Sequence, residues 1–291
     1  MKEHTIHYGP WQRIARVTVA AYAWAVLFFL ILPILVIVPL SFNAEPFFSF
    51  TPGMLRLDPD AYSLRWYERI LTTGNWLLAI KNSFLIGVAA TIIATILGTV
   101  AAVGLVSDAM PQRRLITALL LSPMIVPLII VAAGMFFFYT RFNLVASHAG
   151  LVIAHAALGV PFVILTVTAT LSGFDQSLYR AGLSMGATPL RVFRDVVIPL
   201  IRPGVASGAL FAFVTSFDEV VLVLFLAGPE QRTIPREMFA GLREQINPTI
   251  LAVATLLILL SLALLFTLEM LRRRTERIRY GAGTGNPPAI M

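Results

Sequence analysis

The chain has 291 residues, of which 58% are hydrophobic and only 13% are charged. Soluble globular domains carry about 25% charged residues, so this composition excludes an ordinary cytosolic enzyme and a disordered tail. The sequence contains no cysteine, which excludes a disulfide scaffold and a thiolate metal site. The formal net charge of +7 would suggest a nucleic-acid partner in a soluble protein, but in a membrane protein such an excess reports topology.

Six apolar segments are long enough to span a hydrocarbon core, which takes about 20 helical residues. They cover residues 17–40, 82–107, 115–140, 149–171, 204–226 and 249–268. The first is longer than the apolar region of a signal peptide, so we interpret it as a retained anchor. The sequence therefore predicts an all-α integral membrane protein with six transmembrane helices. The predicted organisation is an N-terminal segment, a transmembrane domain and a tail, at residues 1–16, 17–271 and 272–291.

The distribution of Lys and Arg predicts the orientation of these segments. With the N-terminus in the cytoplasm, fourteen Lys and Arg residues fall on cytoplasmic segments and eight on the opposite side. Cytoplasmic loops of membrane proteins carry the excess of basic residues. Both termini are therefore expected in the cytoplasm, and nucleic acid is not expected as a partner.

Two of the segments carry patterned small residues or prolines. The second has a small residue at every fourth position, which predicts a close packing seam between helices. These residues are Ala90, Ala94, Gly98 and Ala102. The third has Pro123 and Pro127, each of which removes a backbone donor and is expected to bend the helix. Such a bend is compatible with a pathway lining and equally with a purely structural role.

The longest cytoplasmic connection, residues 173–203, carries the start and stop signals of two short helices. Asp175 or Ser177 is placed to cap the first, and Gly186 is placed to end it. Thr188 and Pro189 then fit the start of a second helix. Pro199 is expected to end the second helix, and one apolar face is expected from three residues. That face comprises Leu190, Phe193 and Val197.

A capped helical pair of this kind favours docking of a partner protein on the cytoplasmic side. The alternative is an amphipathic turn on the membrane surface, with its arginines on lipid phosphates. That alternative accounts for the charges but leaves the ordered helix boundaries unexplained.

Asp218 and Glu219 interrupt the fifth apolar segment. Ionisable groups inside a membrane cost several kcal/mol unless they face water, a partner charge or a ligand. Fourteen residues separate Gly204 from Asp218, so at about 1.5 Å per residue the pair lies roughly 21 Å from the cytoplasmic end. Three interpretations remain: a substrate pathway, a structural site that binds free backbone donors or a partner arginine, and a position at the lipid interface.

Other polar residues give no sign of catalysis. His148 and His155 are seven residues apart, but no carboxylate joins them at ligand spacing, so polar packing is expected and a metal site is not. No arrangement of nucleophile, base and orienting group is evident, so no catalytic residues are predicted and the chain is not expected to be an enzyme. The external loop of residues 41–75 is rich in aromatic residues, which are expected as membrane-interface anchors or as contacts for a binding protein.

The cytoplasmic connection also resembles a known motif. The run Arg-Ala-Gly-Leu-Ser-Met-Gly-Ala at residues 180–187, with a later Phe and Ile-Pro-Leu, is similar to the EAA loop of permease subunits of binding-protein-dependent ABC importers. Arg180 replaces the acid of the family pattern, and Gly182 replaces its second alanine. The residues that the resemblance implies for docking are Arg180, Ala181, Gly182, Gly186, Ala187, Phe193 and Pro199.

The resemblance implies a type I ABC importer permease fold, in which this loop is a coupling helix that inserts into a cleft on the ATP-binding subunit. It implies as partners two copies of that ATPase, a second homologous permease, an external solute-binding protein and membrane lipid. ATP and Mg are expected on the ATPase chain, and no cofactor on this one. The implied location is the bacterial cytoplasmic, or inner, membrane, with multiple passes.

Further motifs are similar to the second membrane subunit of spermidine/putrescine transporters. They lie at residues 63–67, 81–83, 122–127, 216–219, 227–229 and 247–249. This resemblance implies an amine-type solute such as a polyamine. Relatives with this pattern also carry 4-aminobutyrate, opines or aminophosphonates. The carboxylates of Asp218 and Glu219 suit an ammonium in the substrate pathway, with Asp218 expected to face it. The alternative function is a proton-coupled secondary transporter that uses either residue as its proton site.

Overall fold

The structure is a computed structural model that describes residues 9–107, 110–244 and 248–280. Within these ranges the chain forms thirteen α-helices and no β-strand. The helices are α1 (Pro10–Leu40), α2 (Pro52–Leu55), α3 (Arg65–Thr72), α4 (Gly74–Val106), α5 (Arg113–Ile125), α6 (Leu128–Thr140), α7 (His148–Ser172), α8 (Gln176–Ser184), α9 (Pro189–Val192), α10 (Ile198–Phe217), α11 (Val221–Leu226), α12 (Ile234–Glu244) and α13 (Thr249–Tyr280).

Five helical stretches in the described ranges are long and apolar enough to cross a membrane, and α5 with α6 makes a sixth if the bent pair is one span. The five are Ile14–Leu40, Gly74–Val106, His148–Ser172, Pro189–Phe217 and Thr249–Thr267. The all-α membrane fold is thereby confirmed. The predicted N-terminal segment and tail lie partly outside the described residues, and α13 continues through residues 272–280 of that tail.

The predicted bend in the third segment falls at Pro127, and not at Pro123. Helices α5 and α6 meet at 101°, and Pro127 is the residue before the first turn of α6. Pro123 lies inside α5, where its ring removes the N–H that would bond the carbonyl of Leu119. The hydroxyl of Ser122 donates to that carbonyl instead, at 2.8 Å, so the helix continues past Pro123.

The prediction that Pro199 ends a helix is wrong. The chain runs from Pro189 to Phe217 as one helical stretch, with a π-helical turn at Phe193–Val197 between α9 and α10. Pro199 is in the first turn of α10, directly after this wider turn. A π turn shifts the hydrogen-bond pattern by one residue, which accommodates a residue without an N–H.

The predicted apolar face of this stretch is also partly wrong. Leu190 is 77% exposed, whereas Val192 and Val197 are buried at 2% and 5% exposure. Phe193 is half-buried against the core of α7 and α10. The wider π turn changes which residues share a face, so Val192 takes the inward position that regular spacing assigned to Leu190.

The chain divides into two compact units, and the first comprises residues 1–70 and 244–263. The side chains of α1 are mostly exposed. The loop after it folds around Asn43, whose carbonyl accepts the indole N–H of Trp66 at 2.7 Å. Ser41 and Tyr67 share a hydrogen bond of 2.7 Å. Trp66 is therefore a structural residue of this loop, while Phe47 at 56% exposure keeps the surface position expected of an anchor.

The second unit comprises residues 71–243 and 264–291, and its centre is formed by α4, α7 and α10. The predicted seam on α4 is confirmed, because its four small residues are all buried. A Cβ added to Gly98 would lie 2.6 Å from the Cβ of Val163 and 3.1 Å from the carbonyl oxygen of Val160. The backbones of α4 and α7 therefore approach closely, as in small-residue interfaces of membrane helices.

Two apolar clusters lie along α7. One packs Leu151 and Leu158 with Leu222 of α11, and the other packs Val163 with Ile201 of α10. The helix α7 is thus the common wall against which both halves of the fifth predicted segment pack.

Candidate functional site

The fifth predicted segment is interrupted where the sequence places its two acids. Helix α10 ends at Phe217, and α11 begins at Val221. Glu219 is buried, with 8% exposure, and its Oε1 accepts the N–H of Leu222 at 2.9 Å. The first N–H groups of a helix have no partner within the helix, so this carboxylate caps α11.

Asp218 has different surroundings from its neighbour. Asp218 is the C-cap residue of α10, and its side chain is exposed. The structure thus separates the two carboxyl groups: Glu219 binds the free backbone donor that the structural interpretation required, and Asp218 remains accessible to a ligand.

An aromatic cluster lies beside this break, where α4 meets α10. The ring of Phe84 is 5.2 Å from that of Phe217 and 6.5 Å from that of Phe213, between centroids. A Cβ on Gly87 would lie 3.2 Å from the ring of Phe213, so the glycine lets α4 approach these rings. The last two turns of α10 are therefore held against α4 by aromatic packing.

The two histidines of α7 form hydrogen bonds with different partners. His155 is 1% exposed, and its Nδ1 lies 2.8 Å from the hydroxyl of Ser216, near the end of α10. His148 Nε2 lies 3.1 Å from Oδ1 of Asn82. The expectation of polar packing is confirmed for both.

Asn82 and Ser83 at the beginning of the second apolar segment hold the loop that follows α11. The amide nitrogen of Asn82 donates to the carbonyls of Glu230 and Arg232 at 2.8 and 2.9 Å. The hydroxyl of Ser83 accepts the N–H of Ile234 at 2.9 Å. Sequence reasoning assigned no role to this pair beyond its place in a family-like motif. The signal that could have found it was the presence of two polar residues at the start of an apolar run.

The connection of residues 173–203, which the sequence predicts to be cytoplasmic, forms the predicted helical pair. Oδ1 of Asp175 accepts the N–H of Ser177 at 2.8 Å, so Asp175 and not Ser177 is the cap of α8. This backbone hydrogen bond lowers the pKa of Asp175. Thr188 accepts the N–H of Arg191 at 3.4 Å, with Pro189 in the first turn of α9 as predicted.

Gly186 ends α8 in the left-handed region, at φ +85°. Its N–H bonds the carbonyl of Leu183 at 2.9 Å, and the N–H of Ala187 bonds that of Gly182 at 3.3 Å. This pair of bonds is the Schellman motif, which favours glycine because other residues pay for a positive φ. The predicted stop at Gly186 is confirmed.

Gly182, which replaces an alanine of the family pattern, lies where α8 packs on α9. A Cβ added there would lie 2.9 Å from Cγ2 of Val192. The two positions are therefore complementary, with a branched side chain on one helix filling the space that the glycine leaves on the other.

The rest of the candidate docking residues are distributed over the surface and the inner side of this pair. Arg180, Ala181 and Gly186 are exposed, Ala187 is half-buried, and Pro199 is exposed on α10. Met185 is 82% exposed, as large an apolar exposure as that of Leu190.

Comparison with known proteins identifies the chain's relatives. The sequence profile described as binding-protein-dependent transport system inner membrane component matches residues 14–277. The chain is 28% identical over 256 residues to the spermidine/putrescine transport system permease protein PotC of Haemophilus influenzae. That alignment covers 88% of this chain and 96% of the relative. The chain is also 30% identical over 241 residues to the putrescine transport system permease protein PotI of Escherichia coli, covering 79% and 82%.

The fold has relatives among solved structures. A chain of a bacterial alginate ABC transporter, in complex with an alginate pentasaccharide-bound periplasmic protein, superposes with a TM-score of 0.66. The match covers 91% of this chain and 98% of that one at 14% identity, so the likeness is one of fold.

Proposed function

Because the chain belongs to the family of binding-protein-dependent transport system inner membrane components, we propose that it is the permease subunit of an ATP-driven importer of polyamines such as spermidine or putrescine. A permease of this family is a transport subunit and not an enzyme. Membership of this chain in the family favours an ABC importer over the alternative of a proton-coupled secondary transporter.

The observation that carries the substrate proposal is the similarity to the PotC and PotI permeases over most of both chains. The site at the end of α10 agrees with it, since a polyamine is a chain of ammonium groups and Asp218 is an exposed carboxylate at a helix break. A carboxylate and an ammonium form a charge-assisted hydrogen bond, which is among the stronger polar contacts available to a ligand. Asp218 is the proposed pathway residue, and Glu219 contributes by fixing the beginning of α11.

The proposed partners are a second homologous permease, two ATP-binding subunits and an external solute-binding protein. A complex of the alginate transporter with a periplasmic protein is consistent with the last of these. ATP and Mg belong to the ATPase chains in this proposal, and this chain holds no cofactor. In this proposal both termini lie in the cytoplasm of a bacterium, and the chain spans its inner membrane.

The coupling element proposed for this chain is the pair α8 and α9 within residues 173–203. Three features support it: a Schellman stop at Gly186, a capped second helix, and the exposed Met185 and Leu190. The ATPase closure would push this element, and the continuous helical stretch from Pro189 to Phe217 would carry the displacement to the break beside Asp218.

The function is tested with the complete importer in proteoliposomes that contain ATP. We expect saturable, ATP-dependent uptake of labelled putrescine or spermidine, unaffected by a protonophore, and no uptake when the ATP-binding subunits are left out. Labelled 4-aminobutyrate and an alginate oligosaccharide serve as competing solutes. Uptake of the sugar but not of the amine would reject the substrate, and protonophore-sensitive uptake by this chain alone would reject the importer.

A further inference from the structure

A cavity of about 580 Å³ lies in the second unit, between the end of α4, the first turns of α5 and the last third of α7. Its polar lining includes Arg113, Arg114 and Thr168, and its apolar lining includes Leu105, Ala118 and Leu165. None of the lining residues belongs to the acidic pair at the end of α10 or to α8 and α9. Neither the transport pathway nor the docking element accounts for it.

The polar end of the cavity is suited to an anion. Arg113 and Arg114 are exposed in the first turn of α5, and within the described residues neither forms an ion pair. The residue before them, Gln112, has φ +48° and gives no side-chain cap to the helix. Two arginines and the positive end of the α5 dipole therefore belong to the same end of the cavity lining.

The hydroxyl of Thr168 adds a second observation. Its oxygen is shielded from solvent and has no hydrogen-bond partner in the described part of the chain. Buried polar atoms normally have partners, so an orphan hydroxyl in a cavity wall indicates a missing ligand or solvent molecule. Thr168 lines the same cavity as the two arginines, and a hydroxyl can donate to an anionic oxygen bound there.

We propose that this cavity binds the phosphate headgroup of an anionic phospholipid. The arginines at the start of α5 bind the phosphate oxygens, Thr168 donates to them, and an acyl chain lies along Leu105 and Leu165. Basic pockets between membrane helices are suited to such headgroups, and the apolar wall gives a lipid a contact that free phosphate lacks. The proposal goes beyond the import function and does not depend on the identity of the solute.

The test is native mass spectrometry of the full chain purified from nanodiscs of equal phosphatidylglycerol and phosphatidylethanolamine. We expect preferential retention of one phosphatidylglycerol. Arg113→Gln and Arg114→Gln should each lower that retention about fivefold, the effect of one basic group near an anionic lipid surface. Arg202→Gln is the matched control, because Arg202 is an exposed arginine outside the cavity lining and its loss should change nothing.

A charge-neutral variant keeps the test decisive if loss of an arginine disturbs insertion. Ala118→Trp leaves both arginines in place and fills the cavity, so it should abolish the retention. Thr168→Val should lower it severalfold, since valine has the shape of threonine without the hydroxyl.

Three outcomes overturn the proposal. Equal retention of both lipids would mean that the cavity does not select an anionic headgroup, and retention unchanged in Ala118→Trp would mean that the lipid binds elsewhere. The other arm adds inorganic phosphate to the chain in neutral detergent: binding of phosphate that depends on Arg113, without retention of phosphatidylglycerol, would assign the site to a soluble phosphate and reject the lipid.

Discussion

Asp218 and Glu219 are neighbours in the chain, yet their side chains have different surroundings. Glu219 is buried and bonded to the backbone of α11, whereas Asp218 is exposed at the end of α10. A carboxylate that satisfies a helix N-terminus contributes to stability, and an exposed one is available for a ligand. The two residues are therefore expected to respond differently to neutralisation.

Asp218→Asn should weaken substrate binding while the fold is retained. Loss of one charge-assisted contact to an ammonium is expected to raise the half-saturating concentration of putrescine about tenfold. The midpoint of thermal unfolding should stay at that of the unchanged protein. Uptake by the reconstituted importer measures the first, and fluorescence of the chain in detergent measures the second.

Glu219→Ala should reduce stability, unlike Asp218→Asn. We expect it to lower the free energy of unfolding by about 1 kcal/mol, because the cap of α11 is lost. Glu219→Gln is the matched control, since an amide oxygen can still accept the N–H of Leu222. Chemical unfolding of the purified chain measures both. If Asp218→Asn and Glu219→Gln both transport at the original rate and apparent affinity, the pathway role of this pair is rejected.

For these two residues, the sequence predicted the position of the acidic pair but not the different role of each carboxyl group. Two charges within an apolar run predict an interruption, and the break after Phe217 is where it lies. The direction of each carboxyl depends on the residue at which α10 ends and on what packs beside it, such as the rings of Phe84 and Phe217. These contacts join residues far apart in the chain, so local spacing could not supply them.

The element proposed to receive the ATPase is the pair α8 and α9, and its boundaries were largely readable from the sequence. Asp175, Gly186 and Thr188 act locally, through bonds to residues within a few positions. The continuation of α9 through Pro199 was not predicted, because it depends on a π turn and on the burial of Val192 against Gly182. Tertiary packing here overrides the helix-ending preference of proline.

Gly186→Leu should uncouple ATP hydrolysis from transport. A side chain at φ +85° costs about 1–2 kcal/mol, which favours opening of the turn between α8 and α9. We expect uptake to fall to background while the chain still inserts in the membrane. Gly173→Leu is the control, since Gly173 ends α7 at φ −93° and a Cβ there would lie 3.8 Å from its nearest neighbour, the carbonyl oxygen of Thr170. Unchanged uptake in Gly186→Leu would count against the docking element.

The seam between α4 and α7 gives a separate test of element packing. Gly98→Ala places a Cβ against Val163 and the Val160 carbonyl, and overpacking of this kind costs about 1–3 kcal/mol. Gly104→Ala in the same helix meets no atom within 4 Å and should stabilise by about 0.5–1 kcal/mol. Unfolding in detergent compares the two. Equal stabilities would mean that the helices do not approach as closely as this structure places them.

The charge of the whole molecule divides between the two membrane faces. In the proposed orientation the cytoplasmic segments hold fourteen basic and six acidic residues, a net charge of +8. The remainder holds eight basic and nine acidic residues, a net charge of −1, and together they give the total of +7. In the proposed orientation, the excess that would suggest nucleic acid in a soluble protein thus lies on the face that would meet the ATPase and anionic lipid. The net charge of −1 of the remainder includes Asp218 and Glu219, the acidic pair at the proposed path of a cationic solute.

This orientation is open to a direct measurement because the sequence contains no cysteine, so each introduced thiol is unique. Asp60→Cys lies in the exposed loop before α3, on the proposed external side, and Ser184→Cys lies at the exposed end of α8, on the proposed cytoplasmic side. In spheroplasts that express the chain without its ATPase, a membrane-impermeant maleimide should label Asp60→Cys at once. Ser184→Cys should be labelled only after the membrane is permeabilised, because the reagent cannot cross the hydrocarbon core. The reverse labelling pattern would show that the chain has the opposite orientation in the membrane. In that case α8 and α9 would face away from any cytoplasmic ATPase.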